Sequence, residues 1–396
     1  MKNNYNIGYL NQVSGRLFLD LVEDLSKKYY PSILYTGNKP GEVPKDLKDK
    51  LFINDLNNYN RKSNFSRISS GLIYIIRMFF YLIKRNHRLL FVVSNPPLVS
   101  ILILLINKLI GQSYIVLIYD IYPDILINAK KISNNSLVVK IWRFINKELL
   151  ERAEVVITIG EAMKNQLDKY FEDKKSNSVE ILVVPNAADS KLAKPIPKEK
   201  NSFSKKYNQK DKITVMYSGN FGNSHSFNMI INVASKLKTD NSINFFFVGE
   251  GAQKDKINRR INNESLNNVI SLPWQHDSKY YDTIACADIA LITMAKGTES
   301  LMVPSKIYYS MAVGSALLGI GNSKSELGRL INKYSCGLLV EPDEVDAFED
   351  AIAKFKSDKL FLNECKNNSY QAYKNNFTRS HMVGQYYNII ANKLNG

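Results

Sequence analysis

Lys306 occupies an electrostatically odd place, and its neighbours suggest why. It stands in the run Gly297-Thr298-Glu299-Ser300-Leu301-Met302-Val303-Pro304-Ser305-Lys306-Ile307-Tyr308-Tyr309, where Pro304 suits the first turn of a helix. Ser305 and Lys306 then lie beside backbone N–H groups that have no intrahelical acceptor. A helix dipole favours cations at its other end, so an ammonium here is explained by an anion held between it and the N–H groups. A pyrophosphate fits that arrangement. A solvated lysine is the plainer alternative.

Three further segments carry residues suited to ligand chemistry. Tyr217-Ser218-Gly219-Asn220-Phe221-Gly222-Asn223 follows an apolar run and leads into a helical pattern from Phe227. Glycines there permit close backbone approach, and a helix N-terminus attracts anions; phosphate contact and an ordinary strand-to-helix turn both remain open. Phe247-Val248-Gly249-Glu250-Gly251 repeats the arrangement, but its glycines are more simply turn formers and Glu250 a solvated or capping residue. Asp120, in Tyr119-Asp120-Ile121-Tyr122-Pro123-Asp124, ends an almost wholly apolar run. It either faces a ligand at the carboxyl end of a strand or caps the next helix.

Other chemistries find little support. Cys286, Cys336 and Cys365 are odd in number and lie in no metal-ligand spacing, so neither a disulfide framework nor a metal site is expected, and a reducing compartment fits. The strand-like Tyr5–Leu10 run comes without a long apolar core or small-residue cleavage site before it, so a secretory leader is not expected. Its most apolar stretch, Leu98 to Ile106, is far short of the ~20 residues of a spanning helix.

These residues need elements to position them. The 396 residues exceed one ordinary core, so two domains are expected. Short apolar runs alternate with longer helical patterns. Strands are expected at 6–10, 32–35, 51–53, 90–93, 114–119, 155–159 and 181–184, then at 214–217, 244–248, 269–272, 289–292, 316–320 and 337–340. Helices are expected at 16–28 and 138–151, among others. Such alternation implies an α/β fold with two doubly wound parallel sheets and ligands beyond the strands' carboxyl ends. Lysine-rich 191–212, with Pro195 and Pro197, reads as a linker. The expected division is 1–190, the linker 191–212, a second domain 213–376 and a closing helix 377–396.

Charge adds a partner. The chain has 53 Lys and Arg against 37 Asp and Glu, a net +16, which suggests an anionic surface or substrate. No acidic residue lies between Asp55 and Asp120. Within that interval Arg67, Ser70, Tyr74, Arg77, Tyr81, Lys84 and Arg88 recur at helical spacing amid Ile and Phe, which reads as one helix with a basic stripe and a wide apolar face. It suits either core packing or an anionic membrane surface. No nucleic-acid recognition motif is present.

The segments VVPNAAD, MYSGNFG, FFVGEGA, NVISLPWQHDSKYYDTIACADIALI and VPSKIYYSMAVG, in this order, resemble the retaining glycosyltransferases of family 4. The resemblance covers nearly the whole chain and is strongest over 184–340. It is closest to the branch with a Pro-Ser-Lys motif that builds capsule, exopolysaccharide and O-antigen units. It implies a GT-B fold: two Rossmann-like domains facing a deep cleft, with the C-terminal helix returning to the first. It implies a nucleotide-diphosphate sugar as co-substrate and no metal or other cofactor. Gly219, Asn220, Gly222, Asn223, Gly249, Glu250, Glu299, Ser305, Lys306 and Tyr309 would meet the donor; Gly15, Tyr119 and Asp120 would meet the acceptor; Asp120 and Lys306 would be catalytic.

The sequence departs from the family pattern in places. The frequent Glu-x7-Glu motif is absent, since Tyr309 stands where its second Glu is expected and Leu301 where the first would be, with Glu299 off register. The expected activity is hexosyl transfer with retention onto a lipid-linked saccharide, by a cytoplasmic enzyme peripheral to the inner face of the plasma membrane. A GT-B sugar-nucleotide epimerase and a non-catalytic partner subunit of another transferase are the alternatives.

Overall fold

The computed structural model describes residues 4–38, 43–56, 64–94, 99–171, 179–189, 191–222 and 227–395. By contacts the chain forms two compact units, Met1–Pro185 with Val383–Gly396, and Asn186–Met382.

The first unit holds seven strands: β1 (Asn4–Leu10), β2 (Ser32–Thr36), β3 (Leu51–Asp55), β4 (Asn86–Val93), β5 (Tyr114–Ile118), β6 (Val155–Thr158) and β7 (Ile181–Val183). They lie in the order β3-β2-β1-β4-β5-β6-β7, every pair parallel. β2 and β5 are buried along their whole length, as a sheet covered by helices on both faces requires. The second unit holds β8 (Ile213–Ser218), β9 (Ile243–Val248), β10 (Val269–Leu272), β11 (Ile289–Thr293), β12 (Ala316–Ile320) and β13 (Gly337–Val340). Their order is β10-β9-β8-β11-β12-β13, again all parallel. All thirteen expected strands are present, with ends that differ by a few residues at most.

Strand order reverses between β1 and β4 in one sheet and between β8 and β11 in the other. At such a switch point the connections leave in opposite directions and open a crevice at the strands' carboxyl ends. Gly15 lies in the connection after β1, the Gly219 turn after β8, and Lys306 in the connection after β11.

Two expectations change. The segment 191–212 belongs to the second unit rather than forming a separate linker. Phe203 is buried, its ring 5.3 Å from that of Phe246. Lys198 and Lys366 both grip the buried Asp288 carboxylate, Lys366 at 2.8 Å, and that carboxylate also accepts the Thr214 N–H at 2.9 Å. Burial pushes the Asp288 carboxyl up, but Lys366 and Lys198 outweigh it and hold it below its ordinary range. The basic helix also ends earlier than expected. It spans Asn64–Lys84, and Arg88 stands in β4, because Asn86 onward pairs with β1. Arg88 donates to the Leu394 carbonyl at 2.9 Å.

The closing helix is Arg379–Asn395, and its residues from Val383 onward belong to the first unit. There Tyr387 donates to the Asp24 carbonyl at 2.6 Å, Tyr29 donates to the Tyr387 carbonyl at 2.8 Å, and the Tyr386 ring lies 5.8 Å from that of Phe91.

Candidate active site

In the second unit, aromatic packing fixes the turn after β8. Phe221 is fully buried among Tyr217, Phe227 and Phe247, with ring centroids 5.7, 5.4 and 6.4 Å away. The backbone between Ser218 and Phe221 must therefore bend sharply. Gly219 takes φ +154°, and its N–H donates to the Val248 carbonyl at 2.9 Å. Tyr217 spans the turn from below, its hydroxyl donating to the Asn220 carbonyl at 2.8 Å.

The turn after β9 interlocks with it. The Phe221 N–H donates to the Glu250 carbonyl at 2.8 Å, the Gln253 N–H to the Phe221 carbonyl at 3.0 Å, and the Gln253 amide to the Gly222 carbonyl at 2.7 Å. Gly249 has φ +143°, and a Cβ there would collide with the Gly219 carbonyl. A Cβ on Gly251 would sit 2.6 Å from the Phe221 nitrogen. The structure thus gives the glycines of the second turn a packing role against the first. Glu250 is exposed, its carboxylate 3.7 Å from the Lys254 ammonium.

Lys306 reaches the first turn from β11's side of the switch point. Its ammonium lies 3.9 Å from the centroid of the Tyr217 ring, and a Cβ on Gly219 would come within 2.8 Å of it. Burial lowers its pKa to about 7.

The expected helix-start arrangement is different in detail. The helix is only Lys306–Ala312, with Ser305 as an exposed N-cap that makes no side-chain cap bond. The Ile307 and Tyr308 N–H groups are already bonded to the Pro304 and Ser305 carbonyls, at 3.1 and 3.2 Å. The cation therefore converges on the glycine turn rather than on free N–H groups of its own helix. Tyr309 packs its ring 6.3 Å from Tyr280 and helps line a cavity of about 20 Å³ with Ser218 and Lys306. Glu299 is used locally, accepting the Gly297 N–H at 3.0 Å. Asn223 lies outside the described residues.

In the first unit, Asp120 follows β5. Its carboxylate has no hydrogen-bond or ion-pair partner among the described residues, and burial raises its pKa to about 6. It does not cap the next helix, Asp124–Asn128, whose N-cap is Pro123. Asp120 lines a cavity of about 30 Å³ with Tyr122, Trp142, Asn146 and Tyr170. The Leu137–Glu151 helix braces this loop. Trp142 stacks on Tyr122 at 6.1 Å, Asn146 donates to the Tyr122 carbonyl at 2.7 Å, and Arg143 reaches Asp124 at 2.7 Å. Tyr119 is half-buried, and burial raises its hydroxyl pKa. Gly15 is exposed, N-caps the Arg16–Lys28 helix, and has open space where a Cβ would stand.

Tyr217, Trp142, Arg143, Asn146 and Tyr170 were not expected at either site. The first is an aromatic inside an apolar strand and the others lie in an amphipathic helix pattern or after it, so only a polar residue facing a strand end could have marked them.

Residues 198–374, which contain both glycine turns and Lys306, match the family model described as glycosyl transferases group 1. The chain is 25% identical over 319 residues to WbjE of Pseudomonas aeruginosa, described as a "probable glycosyltransferase", covering 78% of this chain and 76% of that protein. A stretch of 143 residues is 27% identical to WcaI of Escherichia coli (strain K12), described as a "putative colanic acid biosynthesis glycosyl transferase", covering 36% of this chain and 35% of that one. Among solved structures, HepE of Anabaena in complex with UDP and glucose superposes with a TM-score of 0.73 at 13% identity, covering 98% of this chain and 100% of that one. The fold is GT-B, and the group 1 match and the named relatives together support a glycosyltransferase.

Proposed function

We propose that this glycosyltransferase moves a hexosyl unit, with retention, from a nucleotide-diphosphate sugar to a lipid-linked saccharide during cell-surface polysaccharide synthesis. One observation carries the donor half of this reading: the Lys306 ammonium lies against the Gly219 turn at the sheet's switch point. As the donor's C1–O bond breaks, negative charge gathers on the leaving diphosphate. A cation already held beside a backbone turn stabilises that charge without reorganising. The Pro304-Ser305-Lys306 run supplies it where the Glu-x7-Glu motif is missing. HepE was crystallised with UDP and glucose, and WcaI is named for colanic acid biosynthesis; both favour a nucleotide-sugar donor and a polysaccharide product. Asp120, without a partner among the described residues and beside its cavity, is assigned to the acceptor side and to catalysis.

The first unit's surface supports a membrane-borne acceptor. Among the described residues no helix is long and apolar enough to cross a membrane. Yet Ile76 and Phe80 on the Asn64–Lys84 helix, Leu105 and Leu109 on the Val99–Ile110 helix, and Ile141 and Phe144 on the Leu137–Glu151 helix are each 45–65% exposed. The middle helix packs against both others. With Lys84 and Lys140 exposed on the same helices, this surface suits the headgroup layer of an anionic leaflet, here the inner face of the plasma membrane. Arg77 and Arg85 contribute less than the sequence suggests. Arg77 donates to the Leu56 carbonyl, and Arg85 sits over the rings of Tyr5 and Tyr81.

The decisive experiment screens nucleotide-sugars against lipid-linked acceptors with mass-spectrometric readout, comparing wild type with Lys306→Ala. Transfer is expected to fall at least about tenfold in the variant, or about 1.4 kcal/mol of transition-state stabilisation. Donor affinity of the wild type should weaken as pH rises above about 7, because a diphosphate binds the charged lysine and the neutral one must first take up a proton. Full activity in the variant would remove Lys306 from the reaction; epimerised nucleotide-sugar without transfer would replace the proposed reaction.

A further inference from the structure

The Leu137–Glu151 helix divides its surface into three stripes. Trp142 and Asn146, one turn apart, line the Asp120 cavity. Phe144 and Ile141 stand exposed with Leu137 on the apolar surface. Arg143 and Lys147, again one turn apart, line a separate cavity of about 330 Å³ with Asp124, Gln166, Lys169 and Tyr170.

The chemistry of this second cavity is lopsided. Three cations face one carboxylate, and Asp124 is already satisfied by Arg143 at 2.7 Å and by the Tyr170 hydroxyl at 3.1 Å. Lys147 is half-buried and has no ion-pair or hydrogen-bond partner among the described residues. Lys169 has only the neutral Gln166 carbonyl, at 3.2 Å. Among the described residues, two positive charges are thus left without counter-charge in a pocket that shares Tyr170 with the Asp120 cavity and Phe144 with the apolar surface.

We propose that the Lys147–Lys169 cavity binds the diphosphate of a lipid-diphosphate saccharide, with the lipid leaving over Phe144 and the sugar directed toward Asp120. This rests on the lipid-linked acceptor reading above and supplies its anchoring group. A diphosphate matches the two spare charges and presents oxygens to both ammonium groups. It also joins, by its own covalent structure, an apolar chain on one side to a sugar on the other, which is the order of the three stripes around the helix.

The test is calorimetric titration of the full chain with geranyl diphosphate, geranyl monophosphate and inorganic pyrophosphate. The wild type is expected to bind geranyl diphosphate at least about tenfold more tightly than either other probe. Lys147→Glu with Lys169→Glu should weaken that binding at least about tenfold. Should the double variant fold poorly by circular dichroism, Lys147→Gln alone should weaken it about threefold. Unchanged affinity in a folded variant overturns the proposal, as does inorganic pyrophosphate binding as tightly as the geranyl compound. Failure of the transferase reading looks different. Lysine-dependent geranyl diphosphate binding that persists while no nucleotide-sugar supports transfer keeps the site and removes the reaction. Transfer with an unchanged acceptor KM in the double variant keeps the reaction and removes the site.

Discussion

The two units build their candidate sites in opposite ways. In the second, the site is mostly backbone: two glycine turns locked together, with one lysine laid over them. Its components sit at the switch point, and their geometry depends on missing side chains at Gly219 and Gly249. In the first, the site is made of side chains from separate elements. Asp120 stands on a loop after β5, and that loop is braced at Tyr122 and Asp124 by Trp142, Asn146 and Arg143 from a later helix. The difference teaches where tolerance lies. On the proposed reading, a phosphate grip common to many donors is a fixed backbone shape, whereas a particular acceptor is met by side chains that can be exchanged one at a time.

The sharpest way to break this comparison is a pair of alanines. Gly249→Ala meets both a positive φ and the Gly219 carbonyl. It should cost about 3 kcal/mol or more and abolish measurable donor binding. Gly15→Ala enters open space at φ −78° and should change stability by no more than about 1 kcal/mol. Denaturant titration with a donor-binding assay reads both; equal effects would end the distinction.

Acid should separate the units as well. Burial lowers the His87 pKa to about 4, so His87 holds the first unit stable above its ordinary range and loses that contribution as pH falls from about 6.5 to about 4. The loss is about 3 kcal/mol. Asp120 opposes it: its raised pKa means that protonation below about 6 favours the fold. The His87 effect is therefore expected in full in Asp120→Asn and only in part in the wild type. In the second unit the depressed Asp288 carboxyl gives way only at pH below the ordinary carboxylate range. The chain's two tryptophans, Trp142 and Trp274, fall one in each unit, so single-tryptophan variants report each unfolding separately.

A smaller effect is expected on turnover. Asp120→Asn should lower it about tenfold while sparing donor affinity, and the acid limb of the pH–rate profile near about pH 6 should vanish with the carboxyl. A loss of donor affinity instead would place Asp120 on the wrong substrate. The mildest test is flotation. The wild type should rise with anionic but not neutral vesicles, less so at high salt, and Phe80→Asp with Leu109→Asp should release it. A wild type that ignores anionic vesicles at low salt would leave the apolar helices of the first unit without their proposed occupant.

Much of this was legible in the sequence because parallel strands buried on both faces read as uninterrupted apolar runs, and Val269–Leu272, Ala316–Ile320 and Gly337–Val340 keep their expected ends. What escaped depended on distance along the chain. The basic spacing continues smoothly to Arg88, and only the pairing of Asn86 with Asn4 stops the helix. Nothing near Lys198 announces Asp288, which turns an apparent linker into part of a domain. The Gly219 and Lys306 segments could be singled out separately. That the lysine crosses to Tyr217, rather than serving its own short helix, is a matter of side-chain reach.

The closing helix has a consequence in time. The first unit is made of two stretches of chain with the whole second unit between them, and Tyr386 and Tyr387 fill its surface against Phe91 and Tyr29. During synthesis the early stretch emerges without those rings and must wait, its apolar seam uncovered, until residues 383–395 leave the ribosome. The second unit is contiguous and suffers no such delay. The later-made half of the enzyme can therefore be finished first, and a break in translation between residues 185 and 383 leaves the first unit incomplete.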